Sequence, residues 1–289
     1  MISTYGEKMK QIQKTIFELM VYINLNLFEQ LLLDDLAEKF CYSKYYLHRE
    51  FRKTVGMTIN SYINQKRIEN SIYYMFADID SSLTEIACCC GFTSAAFSRE
   101  FKRVFGRTPK EWRNIYKKNL NENSKICKNY QRFLCYSDNG APEEIKQITR
   151  TEINEREVFA GIFYGNYYSE DFHCFFRNII KMNRLGLPVI GIPLNSPSVT
   201  DREHCLYLLG YENNTGNELL SRFTVSGGSY VKISFEGARN RIGEVYTWLF
   251  KYYLPKNGLK YSCGTMIQEY RGDLLSEKAD MVLYIPVKL

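Results

Sequence analysis

The sequence predicts a multidomain chain. An all-α domain with two helix-turn-helix units is followed by an α+β domain built from a duplicated strand-helix-strand-strand unit. Three observations predict it. The stretch from Leu33 to Thr58 recurs, 50 positions later, from Leu83 to Thr108. The composition shifts after Tyr116 to a polar run rich in Asn and Lys. Beyond Thr149, strand and helix patterns alternate through two rounds. With 289 residues, 45% of them apolar, the chain is long enough for about two domains with an ample core. The expected boundaries are 1–117, a linker over 118–148, and 149–289.

The repeat is the most specific signal. Arg49-Glu50-Phe51 returns as Arg99-Glu100-Phe101, and Ala37, Gly56 and Thr58 return as Ala87, Gly106 and Thr108. In the first copy, Leu33, Leu36, Ala37 and Phe40 form one apolar stripe at helical spacing. Cys41-Tyr42 interrupts it, and Ser43 can cap a second helix. There Leu47 and Phe51 face inward, which leaves Lys44, Tyr45, His48, Arg49 and Arg52 on the outer face. The second copy turns at Gly91 and caps at Thr93. Phe97 and Phe101 face inward, and Ser94, Ala95, Ser98, Arg99 and Lys102 face out. A short helix with a central Arg among small and polar residues suits the major groove of double-stranded DNA. Arg can bond guanine with both arms, and an alanine methyl can meet thymine. Solvated helical hairpins are the plainer reading, which the duplication of the arginine and its basic neighbours outweighs.

Two further helices are predicted in this half. Ile12, Ile16, Leu19 and Ile23 make 10–24 an amphipathic helix expected to pack on the first unit. The helix over 61–76, with Tyr62, Ile63, Ile68, Ile72 and Met75 on its apolar side, joins the two copies. It sets them to enter two adjacent major-groove segments roughly one turn apart. Pro109 starts a short last helix over 110–116 anchored by Trp112. Charge follows the same division. Residues 1–120 carry 18 Lys and Arg against 13 Asp and Glu, and the remainder carry 20 against 19. An excess on one half is the footprint expected for phosphate contacts, and residues 1–117 are expected to bind DNA unaided.

The run from Arg67-Ile68 through Leu83, Ile86-Ala87, Gly91-Phe92, Phe97, Phe101, Gly106 and Thr108-Pro109 resembles the signature of AraC/XylS-type transcription regulators. The resemblance covers 10–117. It departs from many members by one residue fewer between Gly91-Phe92 and Phe97. It implies promoter binding, activation and RNA polymerase as a partner.

In the second half, strands are predicted over 157–164, 205–211, 229–235, 266–270 and 281–285, with helices over 170–185 and 239–253. The helix with Trp248, the turn Leu254-Pro255…Gly258-Leu259, Gln268-Glu269-Tyr270, and Tyr284-Ile285-Pro286-Val287 resemble GyrI-like effector-binding domains. That resemblance covers 149–289 and implies a groove between the two halves for a small, lipophilic, cationic effector, with Glu269 facing it. The residues can support such chemistry, since a carboxylate among rings attracts a desolvated organic cation. Tyr164, Tyr230, Trp248 and Tyr270 are the candidate walls. Glu269 has a second reading as the partner of a surface lysine, and the aromatics a second reading as core.

No catalytic residues are predicted. The histidines are His48, His173 and His204, and no Ser/His/Asp or Cys/His set is evident. The alternatives are a small-molecule hydrolase using Glu269 as base for water, or a protein-docking module. Nine cysteines lack CxxC pairs, and adjacent Cys88-Cys89-Cys90 point in different directions along a helix, so no metal and no cofactor is expected. The amino terminus lacks an apolar h-region and no run reaches a membrane span, so a cytoplasmic protein with no membrane partner is expected.

Overall fold

The computed structural model describes residues 2–77, 81–121, 140–183, 186–214, 216–262, 264–272, 274, 276 and 278–288. The expected linker falls mostly outside them, as does most of the turn at 78–82. Seven helices come first: α1 (Ile2–Leu25), α2 (Leu33–Lys39), α3 (Lys44–Val55), α4 (Ile59–Ala77), α5 (Leu83–Cys89), α6 (Ser94–Phe105) and α7 (Pro109–Asn121). The pairs α2–α3 and α5–α6 are the two predicted helix-turn-helix units.

Local chemistry sets their ends. Ser43 accepts from the Tyr46 amide and Thr93 from the Ala96 amide, while Ser82 and Glu85 close a reciprocal capping box on α5. Gly56 and Gly106 end α3 and α6 in the left-handed region. The turn inside each unit also needs a left-handed residue. Gly91 provides it at φ 75°, and its repeat equivalent is Cys41 at φ 57°. A side chain in that region costs about 1–2 kcal/mol. Swapping the two residues tests this. Cys41→Gly is expected to raise stability by roughly 0.5 kcal/mol, after the extra freedom glycine gives the unfolded chain. Gly91→Cys is expected to lower it by about 1–2 kcal/mol, because its Cβ would also stand 3.0 Å from Arg67 Nη1. Urea denaturation of both variants reads the signs.

The second half is a largely antiparallel sheet with two helices on one face. Strands β1 (Ile145–Ile153), β2 (Arg156–Tyr164), β3 (Val189–Pro193), β4 (Leu206–Tyr211), β5 (Ser221–Val225), β6 (Gly228–Ala238), β8 (Ile267–Arg271) and β9 (Lys278–Lys288) lie in the order β1-β6-β9-β8-β3-β4-β2-β5, and β7 (Lys260–Tyr261) pairs with β9. Helix α8 (Glu170–Lys181) follows β2. Helix α9 runs Ile242–Trp248, widens to a π turn over Leu249–Tyr253, and closes with Leu254–Lys256. The predicted duplication is present: β2-α8-β3-β4 and β6-α9-β8-β9 are equivalent, and they meet where β3 pairs with β8. Each half takes its outer strand from the other side of the duplication, β5 on β2 and β1 on β6. Strands β1, β3, β5 and β7 were not predicted, and β1 begins inside the expected linker.

The structure revises one expectation about the halves. The apolar cores are shared between them. Helix α1 packs on α3 with one face and on β2 and β5 with another, so Val21 is fully buried among Val158, Ile190, Leu208 and Phe223 of the sheet. Helix α4 is buried nearly all round, as a two-sided packing requires. Ile68, Ile72 and Met75 lie in a cluster with Ile86 and Phe97, and Tyr73 and Tyr74 pack against Tyr261 of the sheet domain. A fragment ending at residue 117 would expose these surfaces, so its core is not self-contained.

Candidate nucleic-acid interface and effector cavity

On α3, Lys44, Tyr45, Arg49 and Arg52 are exposed and His48 is half-buried, while Leu47 and Phe51 are in the core. On α6, Ser94, Ala95, Ser98, Arg99 and Lys102 are exposed over buried Phe97 and Phe101. Each outer face predicted from the repeat is therefore presented on one helix, available to a groove. The copies differ in detail. Arg49 Nε donates to Glu50 Oε1 at 3.0 Å, and its guanidinium lies 5.2 Å from the Tyr46 ring centre, which pre-orients it. In the second copy the equivalent Glu100 bonds Arg103 instead, at 2.9 Å. Lys44 forms an exposed ion pair with Asp34 of α2, a contact worth at most about 1 kcal/mol and readily exchanged for a phosphate.

A cavity of about 990 Å³ opens between α8, α9 and the sheet. Its floor is polar. Gln268 Oε1 accepts from the Tyr207 hydroxyl and, at 3.1 Å, from the Tyr270 hydroxyl. Gln268 Nε2 donates to Tyr246 Oη at 3.0 Å. Gly191 makes this arrangement possible, since a Cβ there would stand 2.1 Å from Tyr207 Oη. The walls are aromatic, with Phe172 and Phe176 on α8 and Phe250 on α9. Arg239 lies 4.9 Å from the Phe176 ring centre and 5.7 Å from that of Tyr270. Burial pushes the hydroxyls of Tyr207, Tyr246 and Tyr270 above the usual tyrosine range. They act as neutral hydrogen-bonding groups across the physiological range.

Of the predicted ligand contacts, only Tyr270 lines this cavity. Strand alternation explains why. Gln268 and Tyr270 face the helices, so Glu269 faces the other side of the sheet beside Ile190 and Val282. There its carboxylate accepts from Tyr284 Oη at 2.9 Å and Arg271 Nη2 at 3.2 Å. Tyr164 packs at a tilt against Phe17 of α1 and His204, Tyr230 donates to the Ser226 carbonyl, and Trp248 packs on Tyr253. Gln268, Tyr207, Tyr246 and Arg239, which line the cavity, were not singled out from the sequence. The parity of β8 was the available signal, but Met266-Ile267-Gln268-Glu269-Tyr270 has no clean alternation to fix it.

Among the described residues, no helix is long and apolar enough to cross a membrane, and no cluster of His, Cys, Asp and Glu could hold a metal.

Comparison with known proteins agrees with both halves. Residues 36–115 match the helix-turn-helix domain family and residues 145–288 the GyrI-like small molecule binding domain family. The chain is 36% identical over 108 residues to the regulatory protein SoxS of Escherichia coli (strain K12), a match that covers 35% of this chain and 95% of SoxS. It is 29% identical over 163 residues to an uncharacterized HTH-type transcriptional regulator of Staphylococcus aureus (strain COL), covering 56% of this chain but only 18% of that longer protein. Among solved structures it is similar to the EcmrR C-terminal domain, with a TM-score of 0.39 and 14% identity over 49% of this chain and 97% of that one. It is also similar to the DNA-binding domain of AdpA in complex with a target DNA, with a TM-score of 0.34 and 24% identity over 37% of this chain and 96% of that one.

Proposed function

We propose that this chain, which belongs to the AraC-type helix-turn-helix transcription regulators and carries a GyrI-like domain, reads a promoter with α3 and α6 and senses a small aromatic molecule in the cavity under α8 and α9. The observation that carries the DNA reading is the duplicated, capped unit with matched exposed basic faces, Arg49 at the centre of one and Arg99 at the centre of the other. Arg49 and Arg99 read bases. Lys44, Arg52 and Lys102 contact phosphates, and Tyr45, His48, Ser94, Ala95 and Ser98 complete the two faces. Activation through RNA polymerase, in the cytoplasm, belongs to this reading through the family.

The effector reading rests on the ring-lined walls and polar floor. A flat molecule with one or two hydrogen-bonding groups fits that lining. The carboxylate expected to favour a lipophilic cation, Glu269, faces away from the cavity. Among the described residues, the lining carboxylates Glu69 and Glu170 already hold Lys66 and Arg177. Arg239 instead offers a donor to an acceptor-bearing ligand. A receptor fits better than a hydrolase, because the floor tyrosines are held neutral by burial and so make poor bases.

The test uses a duplex selected by the full chain from a random library. Arg49→Ala and Arg99→Ala are each expected to weaken binding by about 1–3 kcal/mol and to relax preference at one or two base pairs. Lys102→Ala is expected to weaken all sequences alike and to lower the salt slope by about one. Unchanged affinity and preference in both arginine variants would remove the groove assignment.

A further inference from the structure

The cavity is not confined to the sheet domain. Its lining includes Glu69, Asn70 and Tyr73 of α4 and Asn24, Leu27 and Phe28 at the end of α1. At 100° per residue, positions 69, 70 and 73 of α4 fall within one arc of about 100°. The helix that joins the two helix-turn-helix units thus turns one face to the cavity and its Ile68–Ile72–Met75 face toward the second unit.

The seam around this wall is polar and specific. Thr200 Oγ1 donates to Glu69 Oε2 at 2.6 Å, Asn195 Nδ2 donates to Asn24 Oδ1 at 3.1 Å, and Tyr73 is hydrogen-bonded to Ser196. The same joint reaches both units. Arg67, also on α4, donates to the carbonyls of Leu27 and Glu29 at 2.8 and 2.9 Å, and it lies against Gly91 in the turn of the second unit. The cavity lining therefore includes Asn24, Leu27, Glu69 and Tyr73, which are bonded into the joint between α1, α4 and the sheet domain, and Leu27 is also held by Arg67.

From this geometry we propose that the effector is clasped between the two domains, with Asn70 and Tyr73 of α4 as part of its binding site, so that occupancy acts directly on the helix that spaces the two recognition helices. The proposal rests on the reading of the cavity as an effector site. A ligand that contacts both halves favours whichever interdomain arrangement it fits, and DNA favours one spacing of α3 and α6. The two ligands are then linked, and each changes the other's affinity by the same factor.

The test uses the full chain and the neutral aromatic dye N-phenyl-1-naphthylamine as probe. Saturating dye is expected to slow hydrogen exchange of the amides of residues 66–74. Asn70→Trp, which fills the α4 side of the cavity, is expected to weaken the dye at least tenfold. Asn60→Trp, on the exposed first turn of α4 away from the cavity, leaves dye binding as in the original chain. On the selected duplex, saturating dye should change the dissociation constant at least fivefold in the original chain and less than twofold in Asn70→Trp. The duplex should change dye affinity by the matching factor.

Dye that binds without slowing α4 exchange, and equally well to Asn70→Trp, overturns the clasp while leaving a ligand site inside the sheet domain. Dye that slows α4 exchange yet leaves duplex affinity unaltered overturns the coupling. A failure to bind dye up to its solubility limit overturns the cavity reading and the clasp together. A failure of the chain to select any duplex overturns the DNA reading, and α4 exchange then tests the clasp alone. The exchange measurement needs no variant, so misfolding of Asn70→Trp does not remove the test.

Discussion

Glu69→Leu is expected to destabilise the folded chain by about 3–5 kcal/mol. Lys66 is 2% exposed, and its ammonium lies 2.9 Å from Glu69 Oε2. Glu69 is itself buried and also accepts from Gln65 and Thr200. Removing the carboxylate strands a buried cation, since the Tyr62 ring, 5.4 Å away, replaces only part of the lost attraction. The double change Lys66→Met with Glu69→Leu removes both charges and is expected to recover most of the loss, because an apolar pair of similar volume carries no desolvation penalty. The denaturation midpoints of the three proteins measure this. A single variant within about 1 kcal/mol of the original would mean that water reaches the pair.

Gly210→Ala is expected to cost about 3 kcal/mol or more. Gly210 sits in β4 opposite Ala160 of β2. A Cβ at 210 would stand 1.9 Å from the Phe159 carbonyl oxygen and 2.6 Å from Ala160 Cα. Both are backbone atoms of a paired strand, so no rotamer change relieves the clash, and the ladder between β2 and β4 must part. Gly243→Ala is the matched control. It lies in the first turn of α9 with nothing within 4 Å of its Cβ, and it is expected to gain up to about 1 kcal/mol from helix propensity. Thermal midpoints moving in opposite directions support the close approach of β2 and β4, and a neutral Gly210→Ala contradicts it.

The helix-turn-helix units were legible because their information is local. Ser43 and Thr93 cap, Gly56 and Gly106 stop, and Leu47, Phe51, Phe97 and Phe101 mark the inner faces at helical spacing. The 50-residue repeat then checked each reading against its copy. The duplication in the sheet domain was legible for the same reason, through its two amphipathic helices. Strands β3 and β5 were not. Val189-Ile190-Gly191-Ile192-Pro193 is a five-residue apolar run bounded by proline, and it is a strand only because β8 and β4 pair with it on either side. The cavity was the least legible part, because it depends on strand parity and on interdomain packing. Glu269 and Tyr270 are neighbours in sequence, yet they lie on opposite faces of the sheet. Asn70 and Tyr73 carry no ligand signal at all, and they line the cavity only because α4 is sandwiched between two domains.

The two-unit reading of DNA is tested most directly by a hydroxyl-radical and guanine-methylation footprint of the full chain on its selected duplex. Two protected major-groove segments are expected on one face of the helix, about 10 base pairs apart. Arg49→Ala should remove guanine protection from one segment only, and Arg99→Ala from the other only. A single protected segment, or loss of both segments from either substitution alone, would contradict it.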